Sequence, residues 1–267
     1  MSGRERRAPT VAMGGGLGAF GDDDRGVSNV VGYVLVFSLV TVTIGTVFAV
    51  GITGVEDRRE AERIANVERA FDVFDDNLRD IQRYDDPGRS TEIRLSGGTL
   101  SVEETTRFEL YNGSDGLVLE REHRSLTYRN GDTVIAYETG AWFRSDGGGA
   151  AMRSEPRFVA ADDRTTVPLV LLIRDGDSRV DDDGTVQVAT SSRSTTGPNY
   201  AADDEGPFEV RIESEYADAW ERYFERTDGF AVNETATDEV DRTVVVELEE
   251  DDVVYVPRIA LDVALRR

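Results

Sequence analysis

The 267-residue chain contains no cysteine. No disulfide framework, thiolate metal site or cysteine nucleophile can be built from it, so its fold must hold by packing alone. It contains no lysine either, and all 30 basic residues that carry full charge are arginine. Histidine occurs once, as His123. A lone imidazole cannot assemble a zinc site, and no serine near it stands in a nucleophile-elbow context, which argues against hydrolase chemistry. Charge is missing altogether from Gly26 to Val55, thirty residues made mostly of Val, Leu, Ile, Phe, Ala, Gly and Thr.

What is abundant is acid. Formal net charge is -23, and up to Val55 four acids cancel four arginines. The whole imbalance therefore lies beyond that point, 49 acids against 26 arginines. Such a surface repels itself at ordinary ionic strength. At about 1 M salt the Debye length falls to about 3 Å and the repulsion is screened. An acidic, lysine-free, Asp-rich chain resembles the proteins of extreme halophiles. No basic stripe exists to neutralise phosphates, so nucleic acid is not an expected partner. Regular apolar alternation within the acidic region points to a folded domain rather than a solvated tail.

A helix needs about 20 apolar residues to cross a hydrocarbon core about 30 Å thick. Residues 27–54 exceed that and read as a transmembrane span. Beyond the polar collar Glu56–Glu60, apolar residues recur at Ile64, Val67, Phe71, Phe74, Leu78 and Ile81. Steps of alternately three and four residues form one stripe of a helix, which predicts that these six pack against the rest of the protein. Arg58 with Glu62 and Asp75 with Arg79 stand at i,i+4 as favourable pairs. Asp85-Asp86-Pro87-Gly88 ends the run. One long helix over 27–86 is the reading, helical from about Val27 to Tyr84; a break near Gly54 would instead give two. Gly32, Gly45, Gly51 and Gly54 are places to bend or to admit a neighbouring helix.

From residue 87 onward the period changes to two. Ile93 and Leu95, Leu100 and Val102, and Phe108 and Leu110 alternate with polar residues, as half-buried strands do. Leu126 and Tyr128 lead into Asn130-Gly131, with Ile135 and Tyr137 beyond, a strong hairpin signal. Val167 to Ile173, Val186 and Val188, Phe208 to Ile212, Val244 to Leu248, Val254 and Val256, and Ile259 to Leu265 add further strands. One stretch is helical, Glu215 to Arg226, with Ser214 as N-cap, Gly229 as C′ and Tyr216, Trp220, Tyr223 and Phe224 as core aromatics. Asp146 to Gly149, Asp175 to Gly184 and Ser191 to Gly206 read as loops. The expected fold class is α+β: a long N-terminal transmembrane helix, then an acidic antiparallel β-rich head over 87–267 with one short helix.

Motifs for chemistry are sparse. Gly16-Leu17-Gly18-Ala19-Phe20-Gly21 matches GxGxxG, but no strand precedes it and no βαβ unit surrounds it. Asp175-Gly176-Asp177 and Asp181-Asp182-Asp183-Gly184 fail the calcium-loop spacing, because Arg179 takes a ligand position and no closing Glu follows. No cofactor and no metal site is expected. Asn112-Gly113-Ser114 and Asn233-Glu234-Thr235 are glycosylation acceptor patterns, meaningful only if the head lies outside the cell.

The sharpest signal precedes the span. Asp24-Arg25-Gly26-Val27-Ser28-Asn29-Val30-Val31-Gly32 followed by an apolar helix resembles the class III signal peptide of archaeal type IV pilins and archaellins, especially haloarchaeal pilin-like proteins. The resemblance implies a leader over 1–26, shorter if Met13 is the true start, cut by a membrane prepilin peptidase between Gly26 and Val27. It implies a mature helix whose surface, including Val30, Val31, Tyr33, Val34, Leu35 and Phe37, bundles with other pilin-like subunits beneath an external β-rich head. The chain departs from the family in having no acid near the start of the mature helix, which points to a minor or accessory subunit. Arg4, Arg6, Arg7 and Arg25 ahead of the span favour an internal N-terminus, opposed by Arg58, Arg59 and Arg63 just after it. Three readings follow: a processed pilin-like subunit of a surface filament at the cell membrane, an unprocessed single-pass anchor with an extracellular binding domain, or an anchored enzyme or metal-binding domain. A non-enzymatic subunit is the first expectation.

Overall fold

The computed structural model describes residues 24–84, 86–95, 97–113, 116–161, 164–181, 184–201, 207–238, 241–248 and 253–267. It opens with helix α1, Asp24–Tyr84, 61 residues. The chain divides after Arg59 into two compact units. An apolar helix thus precedes a large, mainly antiparallel β region that carries one short helix, an α+β arrangement.

The strands are β1 (Gly88–Arg94), β2 (Thr99–Asn112), β3 (Gly116–Asn130), β4 (Thr133–Glu138), β5 (Ala141–Asp146) and β6 (Ala150–Ser154). Then come β7 (Val159–Ala161), β8 (Arg164–Thr166), β9 (Leu169–Arg174), β10 (Arg179–Asp181), β11 (Thr185–Thr196) and β12 (Asn199–Ala201). After β13 (Phe208–Ser214) lies helix α2 (Ala217–Phe224), followed by β14 (Phe230–Val232), β15 (Thr243–Leu248), β16 (Val253–Tyr255) and β17 (Arg258–Arg266). A 13-stranded sheet runs β1-β11-β17-β9-β3-β2-β13-β15-β14, with β4, β5 and β6 branching from β3 and β10 lying on β2. β12-β16-β8-β7 form a second sheet.

Period-two patterning places the core. Ile135, Tyr137 and Trp142 belong to one apolar cluster, with the α1 stripe and the inward residues of β1, β11 and β17. Their chain neighbours Ala136, Ala141 and Phe143 belong to another, with the aromatics of α2. The β4–β5 hairpin therefore has two buried faces, one toward α1 and one toward α2. β2 changes face midway. Leu100 and Val102 join the α1 cluster whereas Phe108 and Leu110 join the α2 cluster, although all four have the same parity. A register shift between Glu104 and Thr106 supplies the cause, since one extra residue inverts the alternation.

Several expectations are corrected. Within the expected mainly antiparallel head, two pairs are parallel, β17 with β9 and β16 with β8. Only strands joined by tight hairpins must be antiparallel, and each of these pairs is separated by a long stretch of chain. The loops at 175–184 and 191–206 contain β10, the end of β11 and β12. The first hairpin turns on Gly131-Asp132, because Asn130 already pairs with Thr133; Gly131 takes φ 57°. α2 is shorter than expected, with Tyr216 as N-cap and no side-chain cap bond, and Glu225 as C-cap. Ser214 instead ends β13 and turns inward to a buried carboxylate at 2.6 Å. Gly229, at φ 81°, shapes the turn into β14 rather than closing the helix.

Candidate functional site

The predicted processing site falls at the edge of the described chain. Gly26 and Val27 belong to the helical backbone of α1. The leader 1–23, including Met13 and the GxGxxG match, lies outside the described residues. Ser28–Ala49 is long and apolar enough to cross a membrane, and none of it is buried. Val30, Val31, Tyr33, Val34, Leu35 and Phe37 are each more than half exposed, Tyr33 at 73%. Tyr33 stacks on Phe37 one turn on, with ring centroids 6.3 Å apart. Three threonine hydroxyls in the span, of Thr41, Thr43 and Thr46, donate to the carbonyls of Phe37, Leu39 and Val42 at 2.8, 2.7 and 2.9 Å. Bonding back to the helix in this way lowers the cost of placing those hydroxyls in hydrocarbon. Among the described residues, a Cβ built at Gly32 or Gly45 would meet nothing within 4 Å.

The second functional stretch is the part of α1 inside the 60–267 unit. Val67, Phe71, Phe74, Leu78 and Ile81 are at most 3% exposed and Ile64 is 9% exposed. All six lie in one cluster with the sheet. Phe74 meets Tyr137 edge-on at 5.3 Å, and Phe71 lies 6.4 Å from Trp142. Polar contacts flank this stripe. Trp142 Nε1 donates to Asp72 at 3.1 Å, Arg144 pairs with Glu68 at 2.8 Å, and Asn77 donates to Thr91 at 2.9 Å. The predicted Asp75–Arg79 pair forms at 2.8 Å, and Ser154 donates to the same carboxylate at 2.6 Å. Burial pushes the Asp75 pKa up, with Ser154 and Arg79 opposing it. Each buried apolar side chain is worth about 1.5–3 kcal/mol of transfer free energy, so this stretch of helix is a structural member of the head.

Sequence reasoning missed a polar cluster inside the α2-facing layer. Glu138 is fully buried. It accepts hydrogen bonds from Thr106, from Ser214 at 2.6 Å and from Trp220 Nε1 at 2.8 Å. Burial raises its pKa and the three donors oppose the rise. His123, opposite Thr106 on β3, is 3% exposed, and its Nε2 meets Thr139 Oγ1. Burial drives its pKa down to about 4, with the Arg121 backbone working the other way. Thr139 and Gly140 form the β4–β5 turn with φ 50° and 85°, the pair of positive values that a type I′ turn requires. Both the Glu138 carboxyl and the His123 imidazole are thus shut off from solvent.

A cavity of about 640 Å³ opens between the β5–β6 turn, the start of α2 and the turn before β15. Its lining holds four acids and two arginines, and the acids have partners. Glu215 sits 3.3 Å from Arg129 and 3.7 Å from Arg242, Asp218 lies 3.2 Å from Arg222, and Glu221 and Asp238 also have partners. Of the acidic run, Asp181 ends β10, pairs with Arg179 at 3.1 Å and accepts from Thr99, whereas Asp182 and Asp183 lie outside the described residues. The two sequon asparagines lie at different depths: Asn112 ends β2 and is buried, whereas Asn233 follows β14 and is half-buried.

No curated protein and no solved structure matches this sequence. A family model does, over residues 25–264, starting one residue before Gly26 and taking in both the apolar helix and the head. The chain belongs to that family, described as a family of unknown function, DUF7289.

Proposed function

We propose that this chain is a haloarchaeal type IV pilin-like protein, a structural or accessory subunit of a surface filament rather than an enzyme. A prepilin peptidase cuts it between Gly26 and Val27. The cell membrane first holds it as a single-pass protein with its acidic head outside, and its apolar helix then assembles with those of other pilin-like subunits. The observation that carries the reading is the unburied apolar span Ser28–Ala49, directly behind Asp24-Arg25-Gly26-Val27. A surface of that kind needs lipid or another apolar helix around it.

The work assigned to the protein is mechanical. The 28–49 span is the assembly surface, and the Ile64–Ile81 stripe couples the helix to the sheet, so that load on one reaches the other through packed side chains. The deep burial of Glu138 and His123 supports a non-catalytic role. N-terminal sequencing of the mature chain from membrane and sheared-filament fractions tests the proposal. Val27 is the expected first residue in both, and Gly26→Leu is expected to leave the full-length precursor in the membrane. A wild-type chain that keeps its leader would reduce the protein to an unprocessed membrane anchor with an external domain.

A further inference from the structure

The two sequons are alike in sequence and unlike in place, and we infer that Asn233 carries an N-linked glycan while Asn112 does not. This rests on the head lying outside the cell, as proposed above. The reaction forms a bond between Nδ2 of asparagine and the anomeric carbon of a sugar carried as a glycosyl phosphate on a lipid. The bond from that carbon to the phosphate oxygen breaks, the carrier leaves with the electron pair, and one amide proton passes to a base of the transferase. Nδ2 must therefore be reachable, must give up one hydrogen, and must have room for a sugar ring.

Asn112 fails the first and the last of these needs. It is 9% exposed, opposite Gly116 on β3 and Phe208 on β13. Its Nδ2 donates to the Ala201 carbonyl at 3.2 Å. A sugar on that nitrogen would crowd the Ala201 carbonyl of β12.

Asn233 stands at the base of an exposed turn between β14 and β15. Its backbone N–H donates to Val245 O at 2.9 Å, and its own carbonyl accepts from Thr237 N at 2.9 Å, so the base of the turn is tied to the sheet. Glu234, Thr235 and Ala236 are exposed. The side-chain carbonyl accepts from Thr235 N and Ala236 N at 3.2 and 3.1 Å, which fixes the amide plane. Nδ2 gives one hydrogen to Glu247 at 2.8 Å. The second amide hydrogen is the one to be replaced, so the Glu247 bond survives modification and the turn need not unfold.

The test is intact-mass measurement and glycopeptide mapping on the full-length protein purified from its own cells. Wild type is compared with Asn233→Gln, Thr235→Ala and Ser114→Ala; the last removes the other sequon while keeping Asn112, and Ser114 itself lies outside the described residues. A sugar-mass increment is expected in wild type and Ser114→Ala and is expected to vanish completely in the other two. Sugar on the Asn112 peptide would overturn the inference. An unmodified Asn233 peptide would also overturn it if protease added to intact cells cuts the head, since the head is then outside. If the protease cannot reach the head, the outward reading fails and this inference falls with it.

Discussion

His123 is the only histidine, so its ring is a single reporter of how the head responds to acid. Burial lowers its pKa from 6.5 to about 4. A depressed histidine pKa means that between these values the unfolded chain binds a proton that the native state refuses. Its contribution to stability is complete above about pH 6.5 and is lost as pH falls toward 4. The gap of about 2.5 pK units, at about 1.4 kcal/mol per unit, corresponds to about 3 kcal/mol. That is a large fraction of the roughly 5–15 kcal/mol by which domains are stable. The assay is denaturant unfolding of the 60–267 unit and its His123→Gln variant from pH 7 to pH 4, in salt high enough to screen the acidic surface. Effects of the shared carboxylates cancel in the difference. Wild type should lose about 3 kcal/mol more than the variant across that range, and the native ring should show an NMR titration midpoint near 4. A native midpoint near 6.5, or a wild-type minus variant difference that does not move with pH, would refute the reasoning.

Glu138 should behave with the opposite sign, because burial raises its pKa: its contribution is present at low pH and is lost as pH climbs through the folded value. Glu138→Gln should therefore gain on wild type as pH rises, read from the same unfolding curves; a gain on acidification would contradict the burial account. Phe71→Asp or Phe74→Asp should each cost several kcal/mol, since losing a buried Phe alone costs about 3–5 kcal/mol. A soluble 56–267 fragment whose melting is unchanged by either substitution would show that the stripe is not a structural member. Gly140→Ala should cost about 1 kcal/mol through its positive φ alone, since its Cβ would meet Val170 only at an ordinary 3.6 Å. A much larger loss in the unfolding midpoint would mean that the turn is crowded.

The apolar span, the α1 stripe and the Asn130-Gly131 turn region are all legible in the sequence because each is a local pattern. A run without charge, a repeat of three and four, and a turn between alternating segments need only neighbours in the chain to be recognised. The six stripe residues and the four α2 aromatics were nameable as core for that reason, and all ten are buried. Glu138 shows where locality ends. A glutamate next to a turn looks like a surface residue, and it is buried only because β13 and α2, far along the chain, bring Ser214 and Trp220 over it. Its three donors are as unremarkable in sequence as the acid itself. The face switch in β2 depends on one extra residue opposite β3, and the parallel pairs β17–β9 and β16–β8 join segments distant in sequence. Side-chain periodicity says which residues of a segment face inward, whereas the segment it pairs with, and the polar group sealed beneath it, depend on long-range pairing that only the folded chain selects.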